Sequence, residues 1–227
     1  MNKLIDSKDQ EVINDVVWII YWIIKAENKE LKEGQQHPSN QILTNDGTVA
    51  NLIRIIQDKD KENIHHDIAL IFSYIFKTLP LPEDIKKQVL QQLKYHDDFD
   101  EIAYLAECPE NHDVILSDSF VNELFKEFRE YDTLQYLRLT ILLLQLGSNP
   151  NKKKVALSVK DKVIRLTIDE YVDQLDDKYN WDEDKIQEIN SNSRQAVQLI
   201  KSIEEEIEQE GEFEEINGIQ FHINEDI

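Results

Sequence analysis

Cysteine is almost missing from this 227-residue chain: Cys108 is the single one, so no internal disulfide can form and a reducing compartment is expected. Glycine and proline are scarce as well, 5 of each. So few turn-formers cannot serve a many-stranded sheet, while the Leu, Ile, Lys, Glu and Gln content suits helices, and an all-α fold is expected. Long apolar runs are also lacking. The longest, residues 16–24, falls far short of the roughly 20 residues a membrane-spanning helix needs and reads as a buried helix. No basic segment followed by an apolar run and a small-residue cleavage site opens the chain, so no secretory leader is expected. Basic residues are outnumbered: 25 Lys and Arg face 46 Asp and Glu, a formal net charge of −21. That excess repels nucleic-acid phosphates and anionic lipid surfaces, favours basic partners and keeps a chain in solution.

The acid is concentrated at one end. Residues 169–227 hold 19 Asp and Glu against 4 Lys and Arg. Within them, residues 204–215 are dense in Glu and precede a short apolar patch, Gly218-Ile219-Gln220-Phe221-His222-Ile223; blocks of like charge read as a flexible, solvated tail. The expected organisation is a helical domain over residues 1–203 and an acidic tail over 204–227. Helices are expected at 11–27, 49–57, 64–77, 83–95, 100–107, 117–129, 132–146, 159–175 and 182–208, the last interrupted near 190–193. Asn45-Asp46-Gly47-Thr48 reads as a capping turn, Asn63 as a cap, Leu79-Pro80-Leu81-Pro82 as a stop and Gly147-Ser148-Asn149-Pro150 as another, with Lys152-Lys153-Lys154 in the loop beyond it. A short, moderately apolar helix followed by a polar loop and a far more apolar helix occurs at 49–77 and again at 120–146. The apolar member of each pair suits an element sandwiched between neighbours, and residues 11–27 have the same character.

The stretch Asn45-Asp46-Gly47-Thr48-Val49-Ala50-Asn51-Leu52-Ile53-Arg54-Ile55-Ile56, then Lys61-Glu62-Asn63-Ile64, then Ala69-Leu70-Ile71-Phe72-Ser73-Tyr74-Ile75, resembles an armadillo repeat, most closely those of importin α. Asp15-Val16-Val17-Trp18-Ile19-Ile20-Tyr21-Trp22-Ile23 looks like the third helix of such a repeat, with Trp18 in the place of the family's Trp. The resemblance implies a right-handed armadillo/HEAT-like superhelical solenoid of a few repeats with an acidic C-terminal cap. It also implies an adaptor for basic peptide segments such as nuclear localisation signals, working in nucleocytoplasmic protein transport in the cytoplasm, the nucleus or both. In the family, Trp faces hold the aliphatic stems of Lys and Arg, and an Asn one turn on holds the peptide backbone. Here Trp22 stands in the Asn place, and Leu70 and Tyr74 stand where the next Trp and Asn would be, so the implied peptide-binding residues are Trp18, Trp22, Leu70 and Tyr74. The resemblance further implies that Glu204, Glu205, Glu206 and Glu208 meet a helical-repeat export receptor.

No Gly-rich phosphate loop, Cys-x-x-Cys, His-Glu-x-x-His or Gly-x-Ser-x-Gly occurs, and neither an enzyme nor a cofactor is expected. His65-His66-Asp67 with His96-Asp97-Asp98 offers the one metal-like pattern, that of an HD-type metal phosphohydrolase, but Ile68-Ala69 replaces the Gly-Lys that follows such a dyad. The plain alternative puts His65 and His66 exposed in the first turn of a helix and His96 in a loop. Trp18 and Trp22, at i and i+4, share one helix face and fit either a shelf for a basic side chain or a buried helix interface. Cys108 has no basic neighbour to activate it. Partners are expected to be protein or basic peptide, neither nucleic acid nor membrane, with a structural subunit of a larger assembly as the other reading.

Overall fold

The computed structural model describes the backbone over residues 2–117, 133–168, 172, 178–179 and 181–223, and side chains from residue 4 to residue 208 within those ranges. The protein is all-helical, with no strand among the described residues. It divides into two compact units, Met1–Phe128 and Arg129–Ile227.

In the first unit a short helix α1 (Asn2–Ile5) leads to α2 (Gln10–Asn28), which starts where Asp9 turns extended and its carboxylate accepts the Glu11 N–H at 3.0 Å. After α3 (Ser39–Asn45), Gly47 adopts the left-handed region at φ 83°, and the Asp46 carboxylate accepts the Thr48 N–H at 2.9 Å, so the Asp-Gly turn launches α4 (Thr48–Ile56) as its sequence requires. A 3-10 segment, Lys59–Ile64, capped by Asp58 rather than by Asn63, runs into α5 (His65–Ile75). Every residue of α5 from Ile68 to Ile75 is buried, because α2, α4, α6 (Lys86–Tyr95) and α7 (Phe99–Ala106) all pack on it. This is the sandwiched helix the sequence pattern demands.

Helix ends in this unit are closed by buried polar side chains. His37 donates a ring N–H to the Ile24 carbonyl at the end of α2 (3.2 Å), His65 to the Ile55 carbonyl at the end of α4 (3.1 Å), and His112, in α8 (His112–Ile115), to Ala106 at the end of α7 (2.7 Å). Asn111, fully buried, accepts the Leu81 N–H at 3.0 Å and donates to the Leu79 and Leu105 carbonyls, tying the Leu79-Pro80-Leu81-Pro82 corner to α7. The Ile55, Leu105 and Ala106 carbonyls lie in last turns, where they have no partner inside their own helix.

The second unit packs α9 (Thr133–Leu146), α10 (Asn149–Arg165) and α11 (Glu183–Ile223) against one another. Pro150 opens α10 instead of only stopping α9: Ser148 is extended and Pro sits in the first turn, where its missing N–H costs nothing, so Lys152, Lys153 and Lys154 lie in a helix and not in a loop. The 3–4 spacing of buried Ile189, Ser193, Ala196, Ile200 and Ile203 carries α11 through the expected interruption, because the Ser193 hydroxyl donates to the Leu166 carbonyl at 3.1 Å and is at home in the core. The same helix continues across residues 203–204 without a break. The expected helix at 117–129, the first half of the second repeat and the end of the helix expected at 159–175 lie outside the described residues, as do the side chains of the apolar patch at 218–223.

Candidate functional site

The face of α2 that turns away from the core carries bulky apolar residues in water. Trp18 and Trp22 are each 49% exposed, Ile19 52% and Ile23 44%. Tyr21, on the inner edge of the same helix, links this face to the next two. The rings follow one another as Trp18–Trp22 (centroids 5.5 Å), Trp22–Tyr21 (5.3 Å), Tyr21–Tyr74 of α5 (6.3 Å) and Tyr74–Tyr104 of α7 (5.3 Å). An aromatic row thus crosses three helices, tilted and edge-on throughout, as ring quadrupoles prefer.

Charged groups stand along this row. The Lys25 ammonium donates to the Tyr21 hydroxyl at 2.7 Å and lies over the rings of Tyr21 (5.2 Å) and Trp22 (5.5 Å). Its pKa is held above the usual lysine value, first by that hydrogen bond and then by the fields of Tyr21 and Glu101. The Tyr74 hydroxyl donates to Glu101 Oε1 at 2.8 Å. Burial pushes the Glu101 carboxyl above the ordinary range, with Asp98 adding to the shift and the Tyr74 bond opposing it. Burial also drives the Tyr74 phenol far upward, so it stays a donor. At the other end Lys77 lies over the Tyr104 ring at 5.2 Å and pairs with Glu107 at 3.4 Å, both side chains almost wholly out of water. The arrangement is chemically suited to holding ammonium or guanidinium groups between aromatic faces and carboxylates.

The chain matches no family model, no curated protein and no solved structure.

Of the four residues expected to bind peptide, Trp18 and Trp22 are at the surface. Leu70 and Tyr74 are buried; Tyr74 joins the row from beneath, with its hydroxyl spent on Glu101. Tyr21, Lys25, Glu101 and Tyr104 complete the row and were not singled out from the sequence. The spacing of Trp18, Tyr21, Trp22 and Lys25 on one helix face was the available signal for two of them, whereas the approach of α7 to α5 leaves no local trace. The acidic group lies on α11 in the second unit: Glu204 is half-buried and bridges to Lys160 at 2.5 Å, while Glu205, Glu206 and Glu208 are exposed.

The histidine pattern resolves differently. His65, expected at the surface, is buried, because its ring bonds the Ile55 and Asp58 carbonyls. His66 is half-buried, bonds Asp98 at 2.8 Å and stacks on His96 with centroids 3.8 Å apart. The Asp98 bond raises the His66 pKa against the opposing effect of burial. Among the described residues no group of three or more His, Cys, Asp or Glu side chains gathers as metal ligands.

Proposed function

We propose that this protein is an adaptor of armadillo-like helical-repeat construction that binds a Lys- or Arg-bearing segment of a partner protein on the exposed face of α2. One observation carries the reading: of two half-exposed indoles at i and i+4, Trp22 together with Tyr21 already holds the Lys25 ammonium, within the field of Glu101. An incoming cation would lay its aliphatic stem on Trp18 or Trp22, worth about 0.5–2 kcal/mol per contact. The formal charge of −21 would steer it there. The order α3, α4, α5 followed by α6, α7, with the apolar α5 enclosed by its neighbours, supports the repeat reading.

Segments of the nuclear-localisation type have the required chemistry, which makes transport between cytoplasm and nucleus the setting this reading favours. Trp22 and Tyr74 present no side-chain amide, so recognition would rest on cation–aromatic contacts and carboxylates more than on bidentate bonds to the peptide backbone. The exposed Glu205, Glu206 and Glu208 give a second acidic surface for a receptor. Titration of a fluorescent peptide rich in Lys and Arg, against a peptide with Gln at those positions, tests the proposal: binding of the first and not the second supports it, and equal binding removes it.

A further inference from the structure

A basic segment lying on the indoles leaves Ile19 and Ile23 unused. Because successive helical residues turn by about 100°, Trp18 and Trp22 lie about 40° apart, Ile19 and Ile23 likewise, and all four share an arc of about 140°. Two half-exposed Trp and two half-exposed Ile side chains give roughly 400 Å² of contiguous apolar surface, the size at which a patch on a single chain marks an interaction site.

The charges on the same arc indicate what covers it. Glu11 and Asp15 precede the apolar stripe, Lys25 and Lys29 follow it, and all four project within the same half of the helix surface. Glu27 points away, its carboxylate accepting the Ser39 hydroxyl, and Glu30, past the last turn of α2, falls on the opposite flank of the arc from Glu11 and Lys29. The midpoint of the stripe falls between Ile20 and Tyr21. A second α2 laid antiparallel about that point brings Asp15 within one residue of the other copy's Lys25 and Glu11 within one residue of its Lys29. It also sets Trp18 against Ile23 and Ile19 against Trp22. A parallel pair would instead oppose Asp15 to Asp15 and Lys29 to Lys29.

We infer that two copies of this chain associate through α2 in an antiparallel, two-fold arrangement. Such an interface is self-complementary, each contact occurring twice. At about half the area per partner of a standard stable interface, it gives a weak, reversible dimer whose population rises with concentration. Trp18 and Trp22 would be covered in the dimer, so association and the basic-segment binding proposed above exclude each other; that last consequence alone rests on the functional reading.

Sedimentation equilibrium of the full chain over a concentration series tests the inference. Dimer is expected in the wild type, and Ile19→Ser with Ile23→Ser is expected to abolish it with the helical circular dichroism unchanged. Glu11→Lys alone and Lys29→Glu alone should each weaken the dimer about ten-fold, since each reverses two cross-pairs, and the two together should restore it. Both positions are exposed, so the variants fold. A monomer at all concentrations overturns the proposal, as does a dimer that ignores the isoleucine changes or is not restored by the charge swap. Dimer without peptide binding leaves this inference standing and removes the functional one, and peptide binding by a strict monomer does the reverse.

Discussion

Replacing Lys77 by Met should unfold the first unit far more readily than its conservative shape suggests. The Lys77 ammonium is within 3.4 Å of Glu107 Oε1, donates to the Lys32 carbonyl at 3.1 Å and lies over the Tyr104 ring, while Glu107 Oε2 accepts the Gly34 N–H at 2.8 Å. The two side chains are 2% and 1% exposed. Removing the ammonium leaves a carboxylate out of water with its neutralising partner gone, a change that costs about 3–5 kcal/mol in buried pairs. Set against a total stability of about 5–15 kcal/mol, that is a large share. Glu107→Gln keeps an acceptor for the Gly34 N–H but leaves the Lys77 ammonium buried without its counter-charge, so its cost should also be about 3–5 kcal/mol. Lys77→Met with Glu107→Leu removes both charges and strands only the Gly34 N–H, on an exposed loop where water can serve it, while the Lys32 carbonyl keeps the Gln35 N–H, so the double variant should recover most of the loss. Urea unfolding read by tryptophan fluorescence in a Trp181→Phe background follows the first unit, since Trp18 and Trp22 are then the remaining indoles. A Lys77→Met cost below about 1 kcal/mol, or a double variant less stable than either single one, would refute the buried-pair account.

Acid should destabilise the fold in a defined window. Burial lowers the pKa of His37 and His112 below the ordinary histidine value, so the unfolded chain binds their protons first; the stability their neutral rings contribute is whole above about pH 6.5 and is lost as pH falls toward their folded values. His66 runs the other way, its raised pKa giving stability that is full at low pH and lost as pH rises through it, and Asp98→Asn should remove that share. In an Asp98→Asn background, where the opposing His66 share is gone, unfolding midpoints that do not fall between pH 7.5 and about 5.5 would contradict the assignment of His37 and His112 as buried neutral donors. Gly47→Ala, at φ 83°, should cost about 1–2 kcal/mol in a thermal melt, whereas no loss would mean the turn can relax. Burial pushes the Cys108 thiol up to about 11, so alkylation at pH 8 should await unfolding by urea; rapid labelling of the native protein would show the thiol to be open.

How far the sequence shows these features depends on whether their cause is local. The α2 and α4 boundaries follow from Asp9, Asp46 and Gly47, whose capping and left-handed preferences act over two or three residues. The enclosure of α5 follows from an apolar run, residues 68–76, that only Ser73 interrupts. Pro150 misleads because proline is equally at home just after one helix and at the start of the next, and only the extended Ser148 distinguishes them. His65 and Ser193 mislead because a polar side chain counts as exposed until a carbonyl from a distant helix end is found to meet it. The site was half legible. Trp18 and Trp22 announce a shared face by their spacing, but whether that face meets core or water is a tertiary fact, as are the burial of Tyr74 and the arrival of Glu101 and Tyr104.

The α2 face as a seat for basic segments is tested most directly by calorimetric titration of a Lys/Arg-rich peptide into the wild type, Trp22→Ala and Lys25→Gln. Loss of the indole should weaken binding by about 0.5–2 kcal/mol, up to roughly thirty-fold. Loss of the lysine, which repels an incoming cation from the rings it already covers, should strengthen binding, and added salt should weaken every form. Affinity unchanged in Trp22→Ala, or reduced in Lys25→Gln, would contradict the account.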